Sequence, residues 1–148
     1  DRFERFLDKA TEIGVSEITP VICENSERKM VKADRMKKII LSAMKQSEQC
    51  FLPRLNPIVS FKDFIQNDYT GLGFIAHCYN MSRKSLKSKL VANEDVTILI
   101  GPEGDFSVKE IEMALERNYI PVTLGNTRLR TETAAIAACH SVAFINES

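Results

Sequence analysis

The chain has 148 residues, with 20 Lys plus Arg set against 20 Asp plus Glu, so its formal net charge is zero. That length suits one domain with a sizeable core, and the charge balance excludes a global basic field for nucleic acid, so any basic patch must be local. The four cysteines lie far apart, no His/Cys/carboxylate cluster has ligand spacing and no apolar run reaches membrane-spanning length, which argues against a disulfide framework, a metal site and a membrane span and for reduced core thiols in a cytoplasmic protein.

In chain order, Asp1 to Ile13 reads as an amphipathic helix with Phe3, Phe6, Leu7 and Ala10 on one side and Gly14 as its stop. Glu17 to Ile22 reads as a first strand, with Pro20 tolerable at a bulge or edge. A charged loop from Cys23 leads to Asp34, the expected cap of a helix reaching about Gln49, with Met36, Ile39, Ile40, Ala43, Met44 and Ser47 inward. Pro53 breaks the chain, a short strand is expected around Leu55–Val59, and Ser60 and Asp63 start a brief helix carrying Phe61, Phe64 and Ile65. Leu72 to Cys78 reads as a buried strand ending at His77, and the polar, basic stretch from Met81 to Leu90 as a short helix or a loop. Strands alternating with helices predict an α/β fold with a mostly parallel sheet flanked by helices.

Two strand-loop-helix units then follow one another. The first is Val96–Ile100, the loop Gly101-Pro102-Glu103-Gly104-Asp105-Phe106, and a helix opened by Ser107. The second is Pro121–Leu124, the loop Gly125-Asn126-Thr127-Arg128-Leu129-Arg130, and a helix beginning near Thr131. The apolar runs are too short for helices and rich in β-branched residues, as expected of strands buried on both faces. Ser107-Val108-Lys109-Glu110 has the spacing of a capping box, and Thr131 is the expected N-cap of the second helix, with Glu132 in its positive first turn. Gly101 and Gly104 permit backbone conformations, or a close ligand approach, that a Cβ would hinder. Ligands of open α/β sheets bind outside the carboxyl ends of the strands, so two Gly-bearing loops on adjacent strands predict a site. The last helix, to about Asn146, is small and apolar nearly all round, which predicts burial among close neighbours.

Gly101-Pro102-Glu103-Gly104, followed by Leu124-Gly125-x-x-x-Leu129-Arg130-x-Glu132-Thr133-Ala134, resembles the ribosomal RNA small subunit methyltransferase E family. The likeness extends upstream through Lys9-Ala10-Thr11-Glu12-Ile13-Gly14-Val15 and Ile18-Thr19-Pro20, covering essentially the whole chain. Members of that family are SPOUT enzymes that methylate N3 of a uridine in 16S ribosomal RNA with S-adenosyl-L-methionine. The resemblance implies a C-terminal deep trefoil knot holding the cofactor, and a SPOUT methyltransferase domain over residues 1–148. It also implies a small RNA-binding β-barrel N-terminal to the first helix, so the chain reads as the catalytic domain alone.

The positions matching the family's cofactor loops are Ile100, Gly101, Pro102, Glu103, Gly104, Leu124, Gly125, Leu129 and Arg130. Recognition by main-chain groups would explain the prevalence of Gly and small apolar residues there. Glu103 is open to two roles, a contact with the ribose or cofactor amine and a cap on local backbone N–H groups. Methylating uridine N3 removes an imide proton and spreads negative charge over the flanking carbonyls. Arg130 suits the stabilisation of that charge, being permanently cationic and too basic to accept the proton. The base is left unassigned, water among the options. Arg128 would hold an RNA phosphate or the cofactor's carboxylate. His77 is expected to be hydrogen-bonded rather than catalytic, and His140 to be packed in the last helix. Arg28, Lys29, Lys32, Arg35, Lys37 and Lys38, with Arg83, Lys84, Lys87 and Lys89, are local basic groups that could touch phosphates of ribosomal RNA, although charge runs on loops and helix faces are usually just solvated.

Four stretches depart from the family pattern. Asp105 stands where Gly-Pro-Glu-Gly-Gly is common, Glu24-Asn25-Ser26 where Glu-Arg-Ser is, and Gln46-Ser47-Glu48-Gln49 where Gln-Ser-Gly-Arg is; Thr127 and Arg128 replace Arg-Ile. The departures touch positions expected to face RNA more than those facing the cofactor. Two other classes remain comparable on residues alone. A nucleotide- or phosphate-binding α/β enzyme would use the same helix ends, but neither glycine fingerprint for it is present. A non-enzymatic RNA-binding module would need clustered basic and aromatic residues, yet there is no Trp and no net charge. A homodimer is expected, because one sheet can cover only part of the last helix, leaving Ile136, Phe144 and Ile145 with the apolar side of the first helix for a two-fold contact.

Overall fold

A computed structural model describes residues 2–27, 32–79, 83–125 and 129–147. Arg28, Lys29, Met81, Asn126, Thr127 and Arg128 lie outside the described residues. In chain order the elements are α1 (Arg2–Ile13), β1 (Glu17–Ile18), β2 (Val21–Ile22), α2 (Ala33–Gln46), β3 (Arg54–Leu55), β4 (Val59–Ser60) and α3 (Phe61–Ile65). There follow β5 (Leu72–Ala76), β6 (Lys84–Ser85), α4 (Leu86–Lys89), β7 (Val96–Ile100), α5 (Val108–Glu116), β8 (Ile120–Thr123) and α6 (Thr131–Ile145).

Every described strand pairing is parallel: β1 with β3, β2 with β4, and a four-stranded sheet in the order β6-β8-β5-β7. Helices cover both faces, as parallel strands require. Alternation along β5 shows this directly. Phe74 enters one core with Leu86, Val122 and Ala138, while Ile75 enters the opposite core with Phe61, Leu99, Phe106, Ile111 and Tyr119. Both side chains are fully buried. A third cluster joins α1 to α2 through Leu7, Ala10, Met36 and Ile40, and α1 also packs on α6.

The α/β class, the parallel sheet and the flanking helices agree with the pattern of the sequence; several local expectations do not. Glu17–Ile22 is two short strands separated at Thr19-Pro20, and the Leu55–Val59 strand is likewise split, because each half pairs with a different half of the other. The second helix opens at Lys32, which makes no side-chain cap, with Asp34 already in the first turn. It ends at Gln46 in a left-handed turn: the Gln49 N–H donates to Met44 O at 3.1 Å and Glu48 sits at φ 60°. The stretch from Met81 to Leu90 supplies both β6 and α4. β8 lies one residue earlier than expected, and the N-cap position of α6 is Arg130 rather than Thr131. The last helix is only partly enclosed: Ala135 and Ala138 are buried, most of its other residues are half-covered, and Phe144 and His140 are exposed. Cys50 and Cys78 are exposed too, so only Cys23 and Cys139 fit the expectation of core thiols.

Candidate functional site

The two glycine-bearing loops do not leave adjacent strands. β5 lies between β7 and β8, with Ala76 in register with Ile100 on one side and Val122 on the other. Three parallel strands therefore end at one level, and the segment after β5 joins the two loops around a single cleft of about 550 Å³. Ile100, Gly101, Pro102, Glu103, Leu124, Gly125, Leu129 and Arg130 all line it, together with Arg2, His77, Cys78, Arg83 and Asp105. Gly104 does not line it, and Arg128 is outside the described residues.

The loop after β7 is held at every turn. Asp105 adopts φ 65°, a left-handed conformation that glycine would take without strain. Its carboxylate compensates: Oδ2 accepts from the Cys78 N–H at 2.9 Å and Oδ1 from the Phe106 N–H at 2.7 Å. The Asn25 side-chain amide donates to the carbonyls of Gly104 and Asp105 at 3.3 and 3.2 Å. A Cβ at Gly104 would lie 2.9 Å from that of Asn25, so this glycine makes room for the protein's own loop, not for a ligand. Gly101 similarly lies tight against Phe106. The capping box is complete, Glu110 N–H donating to Ser107 Oγ at 3.1 Å and Ser107 N–H to Glu110 Oε1 at 2.8 Å. Glu110 Oε2 also accepts from the Glu24 N–H at 3.0 Å, fixing the segment after β2 to α5. Burial, reinforced by Glu110, pushes the neighbouring Cys23 thiol up to about 12.

Of the loop after β8, Gly125, Leu129 and Arg130 are described. Gly125 sits at φ 144°, and among the described residues nothing lies near the place of a Cβ; the Thr123 hydroxyl accepts from its N–H and donates to its carbonyl. Arg130 makes no side-chain cap, and among the described residues its guanidinium has no hydrogen bond or ion pair. Among the described residues, the first turn of α6 thus meets the cleft without a side-chain cap. Arg2 from α1 stands 3.9 Å from Glu103 and 4.0 Å from Glu132, both long and partly exposed pairs that contribute little to stability. Among the described residues Glu103 thus pairs with Arg2 and makes no cap on a local backbone N–H.

His77 and Arg83 complete the floor. His77 is 4% exposed; its Nδ1 accepts from the Tyr79 N–H at 3.2 Å, while its Nε2 is buried without a partner among the described residues. Burial, then the Arg83 charge, holds the imidazole below the usual histidine range, with Asp105 opposing. Arg83 donates to the His77 carbonyl. The basic stretch containing Arg83 was legible, but its return to the sheet through β6 was not.

The model of the RNA methyltransferase domain family matches residues 1–143. The chain belongs to that family. The ribosomal RNA small subunit methyltransferase E of Rickettsia conorii is 30% identical over 145 residues, covering 96% of this chain and 59% of its own length. A Porphyromonas gingivalis structure, described as a probable rRNA-methyltransferase, superposes with TM-score 0.91 at 38% identity, covering 98% of this chain and 62% of that one. The small subunit methyltransferase E of Neisseria gonorrhoeae, solved bound to S-adenosyl methionine, gives TM-score 0.84 at 28% identity over 95% of this chain and 60% of that one. The chain thus spans about three-fifths of these relatives, and the sequence resemblance to the small subunit methyltransferase E family holds.

Proposed function

We propose that this chain is a SPOUT methyltransferase domain, residues 1–148, that transfers the methyl group of S-adenosyl-L-methionine to N3 of a uridine in 16S ribosomal RNA in the cytoplasm. The observation that carries this is the cleft where β5, β7 and β8 end together, built by the two loops whose residues match the family's cofactor motifs. Its volume, about 550 Å³, is that of a small-molecule site. The buried His77 Nε2, without a partner among the described residues, supports a site that takes a ligand. When bound, the cofactor would supply an electrophilic methyl on a sulfonium, with a thioether as the leaving group.

The chain's own residues supply position and charge. Main-chain groups at Ile100–Glu103, Leu124 and Gly125, with the Leu129 side chain, hold the cofactor. Arg130, unpaired at the uncapped start of α6, stabilises the imide anion formed when N3 loses its proton. Arg128 holds a phosphate or the cofactor's carboxylate. The transfer we propose is metal-free, which the EDTA arm of the test below checks. Among the described residues, no helix is long and apolar enough to cross a membrane.

We further propose that α6 has passed through an earlier loop to make the deep trefoil knot, and that two copies form a homodimer through α6 and α1. The 68% exposure of Phe144 supports the second point. Calorimetry tests the cofactor: S-adenosyl-L-methionine should bind unaffected by EDTA, and ATP and NAD should not bind. On undermethylated small subunits, a new reverse-transcription stop at a uridine reports N3 methylation, since the methyl removes the Watson–Crick donor. Nucleotide binding without cofactor binding would overturn the proposal. A clean monomer by light scattering at micromolar concentration would overturn the dimer.

A further inference from the structure

Resting on the cofactor reading above, we infer that His77 is a positioning residue whose neutral Nε2–H donates a hydrogen bond to the adenosine half of the cofactor. The tautomer follows from the contacts. Tyr79 N–H occupies Nδ1 at 3.2 Å, so Nδ1 is the acceptor nitrogen and the proton of the neutral ring is on Nε2. That N–H is enclosed and has no acceptor among the described residues, although the residue lines the cleft. A buried donor left unpaired is destabilising, and the site retains one at the point where three strand ends meet.

The position and charge of the group select its partner. His77 follows Ala76, the β5 residue in register with both Ile100 and Val122, so it lies on the floor between the two loops. Its 4% exposure suits the part of a ligand that goes in deepest, not an RNA base arriving at the mouth. The imidazole is held neutral by burial and by Arg83, which outweigh Asp105. A neutral donor suits a neutral acceptor, a ring nitrogen or ribose hydroxyl. The carboxylate end of the cofactor is better met by a guanidinium, such as that of Arg83, which lines the same cleft. With its only free nitrogen protonated, His77 is also unable to act as the base that takes the uridine proton.

The test uses the chain as it stands and three ligands: S-adenosylhomocysteine, methylthioadenosine, which lacks the amino-acid end, and methionine, which lacks the nucleoside. In His77→Phe the affinity for the first two should fall by the same factor, about tenfold for one buried hydrogen bond, and methionine should be unaffected. His77→Gln, which keeps a terminal N–H, should recover most of the loss. With 15N-histidine labelling of the unmodified chain, the Nε2 proton signal should shift on adding methylthioadenosine and not on adding methionine. That measurement stands even if a variant fails to fold. Wild-type binding that His77→Phe leaves unchanged, a loss confined to S-adenosylhomocysteine, or an Nε2 signal indifferent to methylthioadenosine would each overturn the assignment. Failure of the wild-type chain to bind S-adenosylhomocysteine would instead overturn the cofactor reading on which it rests.

Discussion

The helix starts on the two sides of the cleft differ among the described residues. In the loop after β7, Asp105, Asn25, Ser107 and Glu110 pair the backbone groups at successive positions, and its helix starts with a complete capping box. In the loop after β8, Gly125 is tied by one threonine hydroxyl and its helix starts at an arginine that caps nothing. A helix N-terminus leaves N–H groups that something must satisfy. At α5 the capping box pairs the Ser107 and Glu110 N–H groups; at α6 Arg130 makes no cap, and among the described residues its guanidinium has no partner. The first loop is thus a fixed wall, whereas the described start of α6 carries an uncommitted guanidinium, a contrast that fits the proposed division between holding a cofactor and meeting developing charge.

The sharpest way to break this comparison is to remove the uncommitted charge. Arg130→Ala should lower methyl transfer by about two to three orders of magnitude, as loss of one preorganised donor to a developing anion does. Cofactor affinity, read by calorimetry, should change little. Full activity in single-turnover assays on small subunits would remove Arg130 from the mechanism. A companion variant, Asp105→Gly, attacks the fixed wall. It relieves a positive φ but deletes the acceptors of the Cys78 and Phe106 N–H groups, so chemical denaturation should show a net loss of about 1–2 kcal/mol. The cofactor should bind more weakly as well, because Cys78 and the loop would no longer be joined. An unchanged denaturation midpoint would mean that the wall does not depend on this carboxylate.

How far this contrast was legible in the sequence depends on the range of the interaction. The capping box at Ser107 and Glu110 spans three residues, and the strand Val96–Ile100 is a continuous apolar run; both were readable because their causes are local. The order β6-β8-β5-β7 is a matter of long-range pairing, and no residue pattern announced that β5 lies between the two motif strands. That insertion brings His77 and Arg83 to the floor of the site and Asp105 to the Cys78 N–H. The departures from the family pattern were visible, but their meaning was not. Asn25, where arginine is common, reaches the carbonyls of Gly104 and Asp105, and Gln49, at another such arginine position, donates to the Glu12 carbonyl at 2.8 Å. Both positions are occupied by intramolecular work, which explains why losing an arginine there need not touch the cofactor cleft. The proposed knot is a matter of how the chain threads, and threading leaves no trace in periodicity or capping.

A smaller effect of opposite sign is expected where the protein leaves its helix end open. Arg130→Asp places a good capping residue at the N-cap of α6, and should raise stability by about 1 kcal/mol while eliminating methyl transfer. Thermal unfolding and a single-turnover assay on one preparation would show the two moving apart. Loss of both would mean that Arg130 supports the fold through contacts beyond those described.

The smallest effect separates backbone strain from the bonds that offset it. Glu48 and Asp105 have nearly the same left-handed backbone, φ 60° and 65°, and both stand where the family pattern has glycine. Glu48 is the residue just past the end of α2, in a turn closed by Glu48 N–H to Lys45 O at 3.4 Å and Gln49 N–H to Met44 O at 3.1 Å. Glycine is favoured there because it has no Cβ to crowd the carbonyl. The Glu48 side chain is exposed and makes no hydrogen bond or ion pair among the described residues, so nothing compensates for the conformation. Glu48→Gly should therefore stabilise the domain, by about 0.5–1 kcal/mol once the greater freedom of glycine in the unfolded chain is subtracted. The same replacement thus raises stability at 48 and lowers it at 105, and the difference between the two variants measures what the Asp105 carboxylate contributes. Changes of the same sign in both, measured by denaturant midpoints at constant slope, would show that backbone conformation alone decides the outcome and that the first loop owes little to its side-chain ties.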